Sequence, residues 1–278
     1  MTTPTPTDRT VTLPDGVNLQ VSEYGSGEPL VLVCGTTQSH RLWAPMLPTL
    51  AASFRVITYD HRGVGDSTRG EGPISMASLA DDLAALLGEL GIDRAHVLGY
   101  SLGSTVAQEL ALNHPERVAD LALVGTWGRT DVYQASVFTA LGHPWRTGHR
   151  DVALAALGIA FSPELLNSEQ FPAMLEQLGP LFPSTPEQMA TAAEQWDADV
   201  AHDALDRIDR ITVPTLVIAA ESDLLTPPRQ GRAVADRIPG ARFEQLAGPG
   251  ASHAAPLERP DDVAGLVTEF LTKNPLPA

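Results

Sequence analysis

The stretch Gly99-Tyr100-Ser101-Leu102-Gly103 constrains the fold of this chain more than any other. It follows an apolar run, residues 95–98, and leads into a segment with helical periodicity. A serine between two glycines at such a junction predicts a tight turn from a buried strand into a helix, because larger side chains there would collide. The free N–H groups at the start of that helix would lie beside the serine hydroxyl. The alternative is a glycine-rich turn whose serine has no chemical role.

Apolar runs typical of buried parallel strands recur on both sides of this turn. They cover residues 29–34, 54–59, 121–124 and 215–219. Helical segments separate them, and the clearest, residues 76–90, repeats apolar side chains at helical spacing. A hairpin is predicted around Pro14-Asp15-Gly16 and a short strand over residues 241–246. Strands that alternate with helices predict an α/β fold, with a mostly parallel central sheet flanked by helices.

The alternation breaks between Trp127 and Ile211, where helical periodicity continues without a good strand. Prolines divide this part into short helices: Pro144, Pro163, Pro172, Pro180, Pro183 and Pro186. An insertion of this kind, at the end of the sheet where loops form a site, predicts a helical cap placed before the last two strands. We therefore divide the chain into a core, residues 1–126 and 212–278, and a cap, residues 127–211.

The formal net charge of −16 over 278 residues argues against a nucleic-acid partner and against an anionic membrane surface, since both require basic patches. No apolar run approaches the length that a transmembrane helix needs. The first residues lack the basic and apolar regions of a signal peptide, which indicates a cytoplasmic protein. The single cysteine, Cys34, excludes an internal disulfide.

One local exception to the acidic balance lies in the predicted cap. Basic residues are concentrated there at Arg129, His143, Arg146, His149 and Arg150. This cluster could meet an anionic substrate or an acidic carrier protein, although such runs are more often solvated surface. The sequence has no His-Glu-x-x-His motif, so we expect neither a metal nor a cofactor. A monomer and a homodimer are both compatible with these patterns.

A serine hydroxyl is a poor nucleophile at neutral pH and needs a base, usually a histidine that a carboxylate orients. Of the eight histidines, only His253 follows the last long apolar run, in a loop rich in glycine and proline. The carboxylate is expected where the next-to-last strand ends, and Asp223 is our first choice there. Glu221 would lie more nearly on the strand, and Asp131, after the preceding strand, is the third candidate. The predicted catalytic residues are Ser101, Asp223 and His253.

The chain order serine, aspartate, histidine differs from the chymotrypsin and subtilisin arrangements. With the turn around Ser101, it gives a resemblance to the α/β-hydrolase superfamily that covers nearly the whole chain, from Val11 to the last helix. Residues 60–67, Asp-His-Arg-Gly-Val-Gly-Asp-Ser, are similar to a D-x-R-G-x-G-x-S segment of its esterase, enol-lactonase and epoxide-hydrolase branch. The resemblance implies that Arg62 and Asp66 tie loops together. The chain looks most like the capped esterase, 3-oxoadipate enol-lactonase and aclacinomycin methylesterase group.

The resemblance also implies an oxyanion hole made of the main-chain N–H groups of Thr36 and Leu102. Cys34 stands where that branch usually has a histidine, in a His-Gly-x sequence after the third strand. Because the hole uses main-chain groups, we expect it to survive this departure. Cys34 itself is disfavoured as a nucleophile, since free cysteines at strand ends are mostly inert core residues.

Aromatic side chains are the candidates for the substrate pocket, although most aromatic residues pack in cores. The candidates are Trp43 and Tyr100 near the serine turn and Trp127, Trp145 and Trp196 in the predicted cap.

These patterns predict a metal-free serine hydrolase that cleaves a small carboxylic ester or lactone through an acyl-enzyme. A serine at position 101 disfavours the aspartate-nucleophile reactions of epoxide hydrolases and haloalkane dehalogenases. The same triad would also serve a carbon–carbon bond hydrolase, a thioesterase or a perhydrolase. A lyase or cyclase, or a small-molecule receptor without turnover, stays open as a different class of function.

Overall fold

The structure is a computed structural model that describes residues 5–276. Eight strands form one sheet in the order β1-β2-β4-β3-β5-β6-β7-β8. The strands are β1 (Thr7–Thr12), β2 (Asn18–Tyr24), β3 (Glu28–Val33), β4 (Phe54–Tyr59), β5 (Ala95–Tyr100), β6 (Val118–Val124), β7 (Thr215–Ala220) and β8 (Arg242–Leu246).

The α-helices lie on both faces of the sheet and in one long insertion. They are α1 (Leu47–Leu50), α2 (Met76–Glu89), α3 (Leu102–Asn113), α4 (Val132–Arg146), α5 (Arg150–Ala156), α6 (Pro163–Leu166), α7 (Phe171–Leu178), α8 (Pro186–Ala201), α9 (Pro228–Arg237), α10 (Ala255–Glu258) and α11 (Pro260–Leu271). Short 3₁₀ segments cover His40–Trp43, Pro115–Arg117, Leu157–Ala160, Gly179–Leu181 and Ile208–Arg210.

The sheet is mixed but mostly parallel. Strand β2 pairs antiparallel with both β1 and β4, whereas every pairing from β4 through β3, β5, β6 and β7 to β8 is parallel. The hairpin around Pro14-Asp15-Gly16 joins β1 to β2, as its turn chemistry predicts. These pairings confirm the predicted α/β fold.

The central strands are buried on both faces because helices cover each side of the sheet. All residues of β5, β6 and β7 are buried. Side chains alternate along each strand, so Val97 belongs to the apolar cluster that includes α2 and α3, and Leu98 to the cluster that includes α1 and α11. Continuous apolar runs are therefore the correct signal for these strands.

The helical segment between β3 and β4 is short and interrupted. It consists of a 3₁₀ turn, His40–Trp43, and one short helix, α1. Pro45 stands between the two and has no N–H to donate to a continuous helix.

The long insertion between β6 and β7 contains α4 to α8. An antiparallel bridge between Arg129 and Asp203 pairs its two ends, and α4 packs along α8. This arrangement confirms a helical insert before the last two strands. The division of the chain at residues 127 and 211 into two domains stays a prediction.

The arginines of the basic cluster have partners within the chain. Arg129 contacts Asp203 and Asp206, and Arg146 contacts Asp197. Arg150 donates hydrogen bonds to the main-chain carbonyls of Pro183 and Gly179. The cluster therefore mainly ties the insert together, and it offers little free positive charge to a carrier protein.

Within residues 5–276, no helix is both long and apolar enough to span a membrane. The same part of the chain contains no group of three or more His, Cys, Asp or Glu side chains with the geometry of a metal site.

Candidate active site

Ser101 lies on the sharp turn between β5 and α3 that the sequence predicts. Its backbone has φ 53° and ψ −124°, in the left-handed half of conformational space that a non-glycine residue rarely adopts. The main-chain N–H of Ser101 donates to the carbonyl of Val124 on the neighbouring strand, at 2.9 Å. This bond and the packed helix hold the strained turn, and the turn presents the serine side chain beyond the end of the sheet.

The two glycines of the turn allow the close approach of neighbouring backbone. A Cβ on Gly99 would lie 2.3 Å from the carbonyl oxygen of Gly103, and a Cβ on Gly103 would lie 2.1 Å from the carbonyl oxygen of Val33. Both distances are far below van der Waals contact. Any side chain at either position would push α3 away from the sheet and move Ser101.

The structure brings the three predicted catalytic residues into one hydrogen-bonded row. The Nε2 atom of His253 is 3.1 Å from Oγ of Ser101, and its Nδ1 atom is 2.8 Å from Oδ2 of Asp223. All three side chains are buried. The row gives the hydroxyl a base within hydrogen-bond reach and gives that base an orienting carboxylate.

The loop after β7 fixes the Asp223 carboxylate. Oδ1 accepts hydrogen bonds from the main-chain N–H groups of Leu225 and Thr226, at 2.9 and 2.8 Å. Oδ2 accepts a third from the Thr226 hydroxyl, at 2.7 Å, besides its contact with His253. Sequence reasoning missed Thr226, although its place three residues after the predicted aspartate is typical of a side chain in an Asx-type turn.

Tyr100 contacts His253 through a hydrogen bond and through packing of the two rings. Its hydroxyl donates to the main-chain carbonyl of His253 at 2.9 Å, and the two rings lie 5.2 Å apart between centroids. Burial raises the pKa of the Tyr100 phenol, so the group keeps its proton as a hydrogen-bond donor. Tyr100 therefore orients the loop that carries His253.

The other two candidate carboxylates have separate roles. Glu221 is exposed, and its Oε2 accepts from the main-chain N–H of Gly248 at 3.1 Å. Asp131 is the N-cap of α4: its Oδ1 accepts from the N–H of Gln134 at 2.9 Å, and its Oδ2 contacts Arg229 at 2.8 Å. Neither contacts His253.

The loop after β3 lies directly against the serine. A Cβ on Gly35 would stand 3.1 Å from Cβ of Ser101, so any larger residue here would require Ser101 or this loop to shift by a few tenths of an ångström. In the described part of the chain, the main-chain N–H groups of Thr36 and Leu102 donate to no protein acceptor. Leu102 is the first residue of α3, where the helix dipole favours negative charge. Both groups are thus available to an oxyanion near Ser101.

Helix α8 of the insert contacts this loop through buried polar groups. Oε1 of Gln195 accepts from the N–H of Thr37 at 2.7 Å, and Oδ2 of Asp199 accepts from the Thr36 hydroxyl at 2.7 Å. Thr37 has φ 67°, unusual for a β-branched residue, so the loop is strained where Gln195 holds it. Burial raises the pKa of the Asp199 carboxyl well above its usual range. We name these two residues of α8 the α8 polar pair.

Cys34 has the environment of a core residue. Its side chain is buried in the apolar cluster that contains Trp43, and burial raises the pKa of the thiol well above its usual range. The Cys34 carbonyl accepts from Nε2 of His61 at 3.2 Å. Burial lowers the pKa of His61 to about 4, so this ring is neutral at physiological pH and anchors the loop as a donor.

The segment of residues 60–67 links neighbouring loops, as the resemblance implies. Arg62 has the expected role, but the aspartate that contributes is Asp60 and not Asp66. Arg62 is buried and contacts Asp82 on α2, with Nε 2.6 Å from Oδ2, and also reaches Asp15 at 2.9 Å. Asp66 is exposed, and within the described residues its carboxylate has one long contact, to Arg41 at 3.4 Å. Asp60 ties the loops instead, because its Oδ1 accepts from the main-chain N–H of His40 at 2.6 Å.

A small cavity of about 40 Å³ adjoins the serine and the histidine. Of the aromatic candidates, Tyr100 and Trp196 line it. Trp127 and Trp145 are instead buried in the apolar cluster that includes α4 and α8. Trp43 packs edge-on against Tyr100 at 6.2 Å without lining the cavity. Apolar side chains form most of the remaining wall: Leu42, Leu157, Ala160, Phe161, Phe182, Leu225, Ala254 and Leu257.

Comparisons with known proteins agree with this geometry. Residues 28–260 match the family described as alpha/beta hydrolase fold. A relative from Azorhizobium caulinodans, RutD, whose name refers to a carbamate hydrolase, is 32% identical over 226 residues, which are 80% of this chain and 84% of the relative.

Two solved structures share the whole architecture. The enol-lactonase from Burkholderia xenovorans LB400 has a TM-score of 0.86 at 30% identity, and the match covers 95% of this chain and 100% of the lactonase chain. A thermophilic esterase from Thermogutta terrifontis has a TM-score of 0.83 at 27% identity, and the match covers 96% of this chain and 98% of the esterase chain. The chain therefore belongs to the α/β-hydrolase fold family.

Proposed function

We propose that this protein is a serine hydrolase that cleaves a carboxylic ester or lactone through an acyl-enzyme. The observation that carries the proposal is the buried row from Asp223 through His253 to Ser101, with contacts of 2.8 and 3.1 Å. Its geometry fits proton removal from the hydroxyl by Nε2 while the carboxylate stabilises the imidazolium. The names of the enol-lactonase and the esterase among its relatives support the substrate class.

In the first step, Oγ of Ser101 attacks the carbonyl carbon and His253 takes the proton. The main-chain N–H groups of Thr36 and Leu102 are the proposed donors to the oxyanion, and each such donor is worth about 3 kcal/mol of transition-state stabilisation. The tetrahedral intermediate then collapses, and His253 passes its proton to the leaving alkoxide. A lactone opens in this step without releasing a fragment, because its leaving group stays attached to the acyl chain.

In the second step, water replaces the alcohol. His253 removes a proton from the water, the resulting hydroxide attacks the ester carbonyl of the acyl-enzyme, and Ser101 leaves as the protonated alcohol. The side chain of Asp223 keeps the imidazole in one orientation through both steps, because Leu225 and Thr226 fix the carboxylate.

The test is hydrolysis of p-nitrophenyl butanoate and of a simple lactone by the wild type, by Ser101→Ala and by Ser136→Ala. Ser136 is an exposed serine on α4 whose hydroxyl bonds the carbonyl of Val132, so it is a matched control. We expect turnover in the wild type and the control, and none above background in Ser101→Ala. A fluorophosphonate should label the wild type once and leave Ser101→Ala unlabelled.

Each other reaction class gives a different result. If thioester cleavage or perhydrolysis is much faster than ester hydrolysis, the proposed substrate class is wrong but the catalytic triad is retained. Fluorophosphonate labelling without turnover of any ester or lactone would point to a carbon–carbon hydrolase. Neither labelling nor turnover from a folded protein would contradict a serine hydrolase and favour a receptor or a lyase.

A further inference from the structure

A second cavity lies in the insert, next to the cavity at Ser101. We name it the cap chamber; its volume is about 270 Å³. Its wall is made by Leu154, Ala155, Leu157, Gly158, Phe161, Leu166, Phe171, Leu175, Leu178 and Phe182. None of these side chains carries a hydrogen-bonding group. The chamber therefore offers no side-chain partner to a polar ligand, and its lining matches a hydrocarbon.

Three side chains separate the cap chamber from the cavity at the catalytic serine. Leu157, Phe161 and Phe182 line both. The cavity at the serine, about 40 Å³, is far smaller than ordinary ligand sites of about 300–1,000 Å³. A substrate with more than a few atoms beyond its carbonyl must extend past these three side chains, and the cap chamber is the apolar space directly behind them.

The cover of the cap chamber is loosely packed. Helix α7 contributes Phe171, Leu175 and Leu178 to the wall, yet none of its residues is fully buried. Leu166 and Leu175 each keep 36% of their surface exposed. A helix with few buried contacts opens at low free-energy cost, so a chain could enter beneath it. A bound hydrocarbon would cover apolar surface that is now in contact with water.

A groove on the other side of Phe161 is a poorer match to a hydrocarbon. It is larger, about 690 Å³, but Glu164 and Glu221 line it. A hydrocarbon chain beside carboxylates would remove charged groups from water without compensation. The two spaces thus differ in chemistry, and the apolar one is the cap chamber.

We propose that the cap chamber binds an unbranched hydrocarbon chain of the substrate while the reacting carbonyl lies at Ser101. The location of the carbonyl rests on the function proposed above. With about 30 Å³ for each methylene-sized group, the chamber holds a chain of about six to ten carbons. The substrate class is then a medium-chain ester, or a lactone with a medium-chain substituent.

Gly158 lies on the wall of the chamber and offers a way to narrow it. A Cβ at this position would lie 3.8 Å from Cδ2 of Leu166, and both residues line the chamber and the neighbouring groove, so a larger side chain would occupy the place where the two spaces adjoin. Its backbone has no positive φ, and alanine is sterically allowed. Gly158→Leu is therefore the test variant and Gly158→Ala its matched control.

The experiment measures kcat/KM for p-nitrophenyl esters from acetate to dodecanoate. Each methylene buried in the chamber adds about fourfold, so the wild type should prefer octanoate to butanoate, which is four methylenes shorter, by about 250-fold and lose the gain at dodecanoate. Gly158→Leu should lower the octanoate-to-acetate ratio at least about tenfold, and Gly158→Ala less than about threefold. The proposal would be overturned if kcat/KM of the wild type did not depend on chain length, or if the octanoate-to-acetate ratio of kcat/KM were the same in the wild type and in Gly158→Leu.

A binding measurement separates this proposal from the catalytic one. Calorimetric titration of Ser101→Ala with methyl octanoate and methyl butanoate needs no turnover. Tighter binding of the octanoate, lost when Gly158→Leu is added, supports the chamber even if no ester is hydrolysed. Equal binding of the two esters contradicts the chamber even if Ser101-dependent hydrolysis is present.

Discussion

Asp199→Asn should stabilise the protein, and the gain should grow with pH. Asp199 lies on α8 with 1% of its surface exposed, and among the described residues its carboxyl has one hydrogen-bond partner, the Thr36 hydroxyl, at 2.7 Å. Its Oδ1 has no partner in that part of the chain. Burial therefore raises the pKa of the carboxyl well above its usual range, so the folded protein releases this proton at a higher pH than the unfolded chain does.

The size of the effect follows from proton linkage. Below the unfolded pKa, near 3.8, both states are protonated and the carboxyl has no pH-dependent cost. As the pH rises from there toward the raised pKa of the folded state, only the unfolded chain releases the proton. Unfolding is then favoured by about 1.4 kcal/mol for each pH unit. Asparagine does not titrate. The difference in free energy of unfolding between Asp199→Asn and the wild type should therefore grow at that rate and level off at the pKa of Asp199 in the folded protein.

The assay is urea denaturation of both proteins at several pH values from about 4.5 to about 6.5. Asp197→Asn is the matched control, because Asp197 is on the same helix but 61% exposed and paired with Arg146. Its stability difference from the wild type should change little with pH. A constant gap for Asp199→Asn across this range would refute the reasoning, since it would mean that the folded carboxyl titrates normally.

The same variant tests the chemistry beside the oxyanion loop. An ionised carboxylate next to Thr36 would oppose the negative charge that develops on the substrate oxygen. The raised pKa of Asp199 favours the neutral carboxyl, which avoids this repulsion, and a carboxamide has nearly the same shape. Asp199→Asn should therefore keep kcat/KM for ester hydrolysis within about threefold of the wild type near pH 7.

Three further predictions concern separate parts of the fold. Asp223→Asn should lower kcat about 10⁴-fold in the p-nitrophenyl butanoate assay, because the histidine loses its orienting carboxylate, whereas Glu221→Gln should not. Arg62→Met should cost about 3–5 kcal/mol in urea denaturation, because it leaves the buried Asp82 without its cation; an unchanged midpoint would contradict this ion pair. Cys34, buried and with a raised thiol pKa, should react with a thiol reagent only after unfolding; fast labelling of the native protein would contradict its core position.

The sheet and the central site residues could be predicted because their signals are local. A buried strand reads as a continuous apolar run, and the turn at Ser101 requires glycines at fixed positions. His253 is predicted because it is the one histidine after the last long apolar run, in a loop rich in glycine and proline. The structure places His253 between Asp223 and Ser101, within hydrogen-bond reach of each, and the catalytic roles of the three residues stay a prediction.

The contacts made by the insert could not be predicted in this way. The bonds from Asp199 to Thr36 and from Gln195 to Thr37 join residues 163 and 158 positions apart, and no local pattern encodes such pairs. Aromatic residues present a related problem. Periodicity indicates that Trp145 is buried, but it does not tell whether a side chain faces a cavity or, like this one, the core.

The insert leaves the sheet after β6 and returns at β7, and these two strands are hydrogen-bonded neighbours. Its length could therefore change during evolution without any change in the order of the strands. The α8 polar pair limits this freedom, because it holds the loop that carries a proposed oxyanion donor. A chimera with the insert of a relative should keep the fold of the core but lose catalytic rate, unless the grafted helix supplies equivalents of Gln195 and Asp199.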